Sequence, residues 1–371
     1  MPMLMLHPLI LLVILTAVIA YMATAWAAKR SFLSDQVTMR SNHRGRASRA
    51  GGLIILCIGS VAAIMANMIG LLSTTPIFFV IALCGGILGL IDDRVTLPAL
   101  PKLLVLLVLS VMMVLGEGAI RDLPVPGLGW VELPGMLAFA VSIFFVLAFT
   151  NAFNFMDGLN GMASSHGIIG LGVGLYLLGD ALTGAGGLIV IAAGALLGFG
   201  ARNILFGRIF LGDAGSLAIG MGLSGLALAA GAQDPAHFYL FALSFTPYLL
   251  DTGLTLLRRW REGKSLFESH CEHHYQKLRD HTYSHQAIAG LYALLSLFCA
   301  AVGIALEAQF GVLGIWIAMP VCVSITAGGV GGAFRLAQNR RMADDVAKSS
   351  SKPRSDVSGN ADDKAAAARA A

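Results

Sequence analysis

Long apolar runs, each closed by a short polar stretch, occupy the chain from about residue 7 to residue 333. Crossing a bilayer as a helix takes about 20 consecutive apolar residues. Runs approaching or exceeding that length fall near 7–27, 51–72, 77–91, 99–116, 135–154, 162–178, 183–200, 214–231, 237–257, 286–306 and 310–333. The pattern predicts an all-α polytopic membrane protein with about eleven transmembrane helices. Residues 117–134, EGAIRDLPVPGLGWVELP, form the one sizeable interruption on their side, and their prolines, glycines and short β-prone pieces predict a small hairpin. Beyond Gln338 the chain turns to alanine, serine and charge. The expected organisation is a membrane domain over 1–338 and a disordered tail over 339–371.

The punctuation between runs is uneven, and 151–164, NAFNFMDGLNGMAS, stands out. An apolar run ends there in asparagines, an acid and glycines, and another begins at once. A buried core helix gains nothing from such residues. Non-helical backbone beside a membrane persists only where protein or a water-lined cavity satisfies its polar groups, so the stretch predicts a site at the bilayer surface. Its glycines allow tight turns and close approach to a ligand, while Asp157 supplies an anion. An ordinary interhelical turn would account for this stretch taken alone.

Composition sharpens the reading. Hydrophobic residues make up 57% and charged residues 12% of the chain, about half the charge of a soluble domain, which excludes one. The 44 glycines suit helices packed through small side chains. Of the 25 lysines and arginines, all but Arg121 fall in alternate loops, their flanks and the C-terminal tail. By the positive-inside rule those loops and the C-terminus are cytoplasmic and the N-terminus is outside. Ala25-Trp26-Ala27 has the look of a signal-peptide cleavage site, but Lys29 and Arg30 follow the apolar run instead of preceding it, which argues against cleavage. The five cysteines show no paired spacing and imply no disulfide framework.

The polar groups gather at the cytoplasmic helix ends. Arg40, Arg44, His43, Arg46 and Arg49 precede Gly51-Gly52 and fit either a lipid-headgroup patch or one wall of an anion pocket. The third run closes on Asp92, Asp93 and Arg94, with Lys102 opening the next; acids at such a position need a cation or a partner. Gly212-Asp213-Ala214-Gly215-Ser216 opens a helix whose first N–H groups suit an anion, and Asp213 suits a divalent cation. Phe210 just before it fits a base stack or interfacial anchoring. Asp251 lies about two turns before Arg258 and Arg259, as a structural partner for them or as a functional acid. Residues 270–285, HCEHHYQKLRDHTYSH, hold five of the nine histidines. Zinc is one reading of His270, Cys271, His273 and His274, and a phosphate-binding surface with the nearby lysines and arginines is the other. Carboxylates, bases and glycine turns on one face of apolar helices suit Mg²⁺, a polyphosphate and a substrate in the bilayer. They predict phosphoryl chemistry between a nucleotide and a lipid.

The motifs LIDDR, NAFNFMDGLNGMA, FLGDAGSLAIG and RR…GKSLFESHCEHHYQKL…SH, in this order over about residues 40 to 290, resemble those of the polyprenyl-phosphate N-acetylhexosamine-1-phosphate transferases, glycosyl transferase family 4. The last loop, with His270, His273, Tyr275 and Gln276, is most similar to that of the O-antigen-initiating members. The resemblance implies transfer of a sugar-1-phosphate from a UDP-N-acetylhexosamine to undecaprenyl phosphate in the bacterial inner membrane. UMP is released, Mg²⁺ is required with Mn²⁺ as a substitute, no nucleic acid is involved, and a homodimer is compatible with it. Matched residue by residue, it makes Asp213 the Mg²⁺ ligand and Phe210 the uracil stack. Asn203 and Asp157 join the nucleotide pocket, with Asn151 and Asn154 among the substrate-binding groups. Asp92 and Asp93 become the acidic pair near the lipid phosphate, and His270 and His273 contact the diphosphate. Lys102 and Arg49 match basic residues near the site. Asn160 stands where the family commonly has a second acid, and an amide cannot act there as an anionic ligand. A phospho-N-acetylmuramoyl-pentapeptide translocase is the nearest alternative, although its PxHHH loop is missing. An ion-coupled transporter would place its acids near the midplane between repeated halves, and no repeat is present. A CDP-alcohol phosphotransferase would continue its DG turn with a pattern that Leu159, Asn160 and Gly161 do not follow.

Overall fold

The computed structural model describes residues 2–30, 32–33, 48–70, 72, 76–179, 185–265, 271–280 and 283–351. Its elements are α1 (Pro2–Arg30), α2 (Gly51–Met68), α3 (Ile77–Val95), α4 (Ala99–Glu117), β1 (Asp122–Val125), β2 (Gly129–Glu132), α5 (Gly135–Met156), α6 (Met162–Leu178), α7 (Ala185–Phe206), α8 (Gly212–Gln233), α9 (Pro235–Ser244), α10 (Thr246–Arg261), α11 (His274–Asp280), α12 (His285–Phe310) and α13 (Val312–Ser351). Among the described residues eight helices are long and apolar enough to cross a membrane, or nine if the bent pair α9–α10 is one span. Of the eleven predicted runs, two fall outside that count. α3 ends on three consecutive charges, and α6 is only 17 residues long.

Local chemistry explains the boundaries. Proline sits just before the first residue of α3, α4 and α5, at Pro76, Pro98 and Pro134. Its fixed φ and missing N–H are harmless there and obstructive farther in. Left-handed glycines end α6 at Gly179 and form the 118, 127 and 129 turns around the hairpin. β1 and β2 pair antiparallel with Asp122 opposite Glu132, as the sequence predicts.

The run 237–257, read as one span, is broken. α9 and α10 meet at 69° around Phe245. Pro247 in the first turn of α10 cannot donate to a preceding carbonyl, and Thr246 Oγ1 donates instead to the Leu243 carbonyl at 2.7 Å. At the other end of the chain, α13 continues through residue 338 to Ser351. Residues 352–371 of the predicted tail lie outside the described residues.

α8 is the axis of the bundle. It packs against α2, α3, α4, α5, α6 and α9, while α1 lies along α7 and α12 along α13. Two contacts around its first turn exist because a side chain is missing. A Cβ on Gly52 would lie 2.1 Å from the Gly215 nitrogen, and one on Gly89 would lie 2.1 Å from the Asp213 carbonyl oxygen. Backbone meets backbone at both places, which seats the start of α8 between α2 and the end of α3. The hairpin lies at the opposite end of the bundle, between α4 and α5.

Candidate active site

Asp92 and Asp93 leave the last turn of α3. Thr96, in the left-handed conformation, reverses the chain after them, with its N–H on the Asp92 carbonyl. Asp92 Oδ1 accepts from the Leu97 N–H at 2.6 Å, which fixes its carboxylate across the turn from α4. Lys102, in the first turn of α4, then places its Nζ 2.6 Å from Asp92 Oδ2 and 2.5 Å from Asp213 Oδ2. One ammonium thus bridges two carboxylates that lie far apart in sequence. Asp93 turns the other way: its Oδ2 accepts from the Ala214 N–H at 3.0 Å, in the first turn of α8. Among the described residues its Oδ1 accepts no hydrogen bond, and it lies 3.6 Å from Arg49 Nη1.

Asn154 completes this group from the end of α5. Its Nδ2 reaches Asp213 Oδ1 at 3.1 Å and Ser216 Oγ at 2.7 Å, while Ser216 Oγ donates to the Gly212 carbonyl. Ser216 is a member the sequence reading did not single out, and its position one turn past Gly212 was the available signal. Asp157 follows as the cap of α5. Burial raises its pKa well above the usual carboxylate range, and the anions of Asp213 and Asp93 push it the same way. Three of the candidate acids thus feel one another through a common space.

Arg49 arrives by a short parallel bridge between Ser48 and Ile209. The Phe210 N–H donates to the Ser48 carbonyl, and the N–H groups of Gly51 and Gly52 donate to the carbonyls of Phe210 and Leu211. The loop ahead of α2 is therefore stitched to the segment leading into α8, with Phe210 half-buried between them. Asn203 has a bracing role. Its Oδ1 accepts from the Gly161 N–H at 2.6 Å and its Nδ2 donates to the Ile209 carbonyl at 2.7 Å, which ties the DGLNG turn to the same segment. Asn160 has its Oδ1 buried without a hydrogen bond among the described residues, and its N–H lies 3.4 Å from His285 Nδ1. Asn151 folds back on its own helix, donating to the Leu147 carbonyl at 2.7 Å.

His273 is buried, with its ring 6.0 Å from that of Phe155 in the last turn of α5. Tyr275 locks the two elements together: its hydroxyl donates to the Phe155 carbonyl at 2.8 Å, in space that a side chain on Gly158 would fill. His270 and His43 lie outside the described residues. The pairing of Asp251 with Arg258 and Arg259 does not form. Both arginines go to Glu272, at 3.7 and 2.8 Å, which Lys264 also approaches at 3.2 Å. Glu272 is nearer the arginines because α11 doubles back over the end of α10, and Asp251 faces the histidines instead.

Among the described residues no three His, Cys, Asp or Glu side chains converge as a metal cage, and the zinc reading of the histidine loop finds no support in them. Mg²⁺ needs no such cage, because it is commonly held by one or two carboxylates together with substrate phosphates. Asp213 and Asp92, whose oxygens already share one cationic group, fit that requirement.

Residues 75–231 match the model of glycosyl transferase family 4, and this range holds Asp92, Asp93, Lys102, Asn154, Asp157 and Asp213. Over that range the chain is similar to glycosyl transferase family 4. It is 28% identical over 316 residues to the decaprenyl-phosphate N-acetylglucosaminephosphotransferase of Mycolicibacterium smegmatis, covering 76% of this chain and 78% of that protein. It is 34% identical over 197 residues to a probable undecaprenyl-phosphate N-acetylglucosaminyl 1-phosphate transferase of Bacillus subtilis, covering 52% and 54%. A phospho-N-acetylmuramoyl-pentapeptide-transferase of Synechococcus sp. strain CC9605 is 44% identical over 109 residues, covering 28% and 31%.

Proposed function

We propose that this protein transfers a sugar-1-phosphate from a UDP-N-acetylhexosamine to undecaprenyl phosphate, releasing UMP and initiating a cell-envelope glycan such as O-antigen. Its place is the bacterial inner membrane, with eleven crossings, the N-terminus outside and the site facing the cytoplasm; the distribution of basic residues supports that orientation. The observation that carries the reading is the bridge from Lys102 to Asp92 and Asp213 at the ends of three apolar helices. It joins charge for phosphates to a surface for a lipid. The match to an N-acetylglucosaminephosphotransferase over 76% of this chain supports UDP-N-acetylglucosamine as donor.

A phosphate oxygen of the lipid attacks the phosphorus that carries the sugar. A new P–O bond forms there, the bond to the bridging diphosphate oxygen breaks, and UMP leaves with that electron pair. The lipid phosphate, with a second pKa of about 6 by analogy with phosphorylated side chains, is largely dianionic at neutral pH, so no proton needs to be removed. The obstacle is repulsion between two anions. Lys102, Arg49 and His273 offset it, with His270 as a further contact to the diphosphate. Mg²⁺, or Mn²⁺ in its place, would be held by Asp213 with Asp92, and when bound it supplies charge that neutralises phosphate oxygens. Asp93 orients the start of α8 through the Ala214 N–H. Phe210 and Asp157 line the nucleotide side, Asn203 braces its floor, and Asn160 offers an amide oxygen, unpaired among the described residues, to the base or ribose.

The test is purified protein with undecaprenyl phosphate, Mg²⁺ and a panel of UDP-sugars, read as UMP. Release of UMP with UDP-N-acetylglucosamine, lost in Asp213→Asn without loss of folding, is expected. No UMP from any UDP-N-acetylhexosamine would overturn the reading.

A further inference from the structure

A second polar cluster lies behind the histidine loop, and Asp251 is its centre. The residue is 4% exposed. Its Oδ1 accepts from the His274 N–H at 2.9 Å and its Oδ2 from the Tyr275 N–H at 3.0 Å. The Tyr292 hydroxyl donates to Oδ2 at 2.6 Å, and Thr255 Oγ1 lies 3.3 Å from Oδ1. Nδ1 of His273 and of His274 stand 3.5 and 3.3 Å from Oδ1. One carboxylate from α10 therefore gathers the opening of α11, one hydroxyl from α12 and two imidazoles.

A buried carboxylate with this many donors is a fixed point, and the groups it fixes include a histidine of the proposed site. Through Tyr275 and the Phe155 carbonyl the same turn is fastened to the end of α5, next to Asp157. The Asp251 carboxylate also stands against the Nδ1 edge of the His273 ring, which leaves the opposite edge to face a ligand. We propose that Asp251 is a positioning residue, holding the first turn of α11 and orienting His273 toward the donor diphosphate. This rests on the transferase reading for what His273 addresses, and on geometry alone for the clamp. Tyr292, buried beside it, is the brace that holds Asp251 in turn.

The experiment is a double-mutant cycle on UMP release, with trypsin cleavage at Lys277 and Arg279 as a readout independent of turnover. Asp251→Asn is expected to lower kcat about 10- to 100-fold, since small misplacements of a contacting group have effects of that order. In a His273→Ala background the same change should cost less than about threefold, because the two act as one unit. Tyr292→Phe, which keeps the ring and removes one donor, should show the same dependence on His273 with a smaller loss, and serves if Asp251→Asn does not fold. Cleavage at Lys277 and Arg279 should accelerate in Asp251→Asn. Losses that multiply in the double variants, a wild-type rate in Asp251→Asn, or unchanged cleavage would each overturn the proposal. If the wild-type protein releases no UMP, the transferase reading fails, while faster cleavage in Asp251→Asn still supports the clamp.

Discussion

Replacing Gly52 by alanine adds one methyl group at the point where α2 crosses α8. That carbon would lie 2.1 Å from the Gly215 nitrogen, 2.6 Å from the Gly215 Cα and 2.6 Å from the Leu211 carbonyl oxygen. All three are backbone atoms, so no side-chain rotation relieves the clash. Carbon contacts under 3.0 Å are essentially never seen, and the helices must part by about 0.9 Å. Overpacking of this kind costs about 1–3 kcal/mol, an amount a large helical bundle can absorb. Function should suffer more, because the displaced segment carries Asp213, and a shift near 1 Å at a reacting centre costs on the order of 10²-fold in rate. Gly59 lies two turns along α2 with no atom within 4 Å of its added carbon, so Gly59→Ala is the matched control. We expect UMP release to fall about 100-fold in Gly52→Ala, with a modest loss of thermal stability in detergent, and to be unchanged in Gly59→Ala. A wild-type rate in Gly52→Ala would refute the premise that backbone contact sets the site, as would equal losses in both variants.

Lys102→Met should leave Asp92 and Asp213 facing each other without their shared cation. Truncating a partly buried pair is expected to cost about 2–4 kcal/mol, toward the lower end of the range for buried pairs, measured as a lower unfolding temperature that added Mg²⁺ partly restores; a temperature equal to wild type would count against the bridge. For Asp92→Asn and Asp93→Asn, a pH-independent loss between pH 6 and 9 is expected, because the lipid phosphate is already dianionic over most of that window. Recovery of near-wild-type turnover at high pH would show that the acid had been a base. A topology reporter fused after Lys348 should report cytoplasmic, and one inserted near Gly127, in the hairpin turn, should report external. The reverse pattern would invert the proposed orientation.

The parts of this molecule that depend on near neighbours were legible in its sequence. Each apolar run became helix, the prolines and glycines between 117 and 134 became a hairpin, and the acids at 92, 93 and 213 met because they close or open apolar helices at the same end. Partners chosen by packing were not legible. Asp251 stands two turns from two arginines on one helix, yet the arginines take Glu272 from a loop that folds back, and Asp251 takes the histidines. Asn203 looks in sequence like a ligand-facing amide, and only the fold shows both its polar atoms engaged with backbone. The break at Phe245 was signalled by Pro247, but proline alone does not say whether a helix bends or ends.

The bridge from Lys102 also bears on how such a chain can enter a membrane as it is made. Lys102 and Asp92 are joined within one helical hairpin, α3 with α4, so their charges cancel as soon as that hairpin closes. Asp213 is synthesised more than a hundred residues later and meets an ammonium already in place, with Asn154 beside it. Everything those acids need for pairing is therefore present once α8 has emerged, before α10 and the histidines exist. The order of synthesis matches the order of neutralisation. Neither acid has to wait for the C-terminal third of the protein to find a partner.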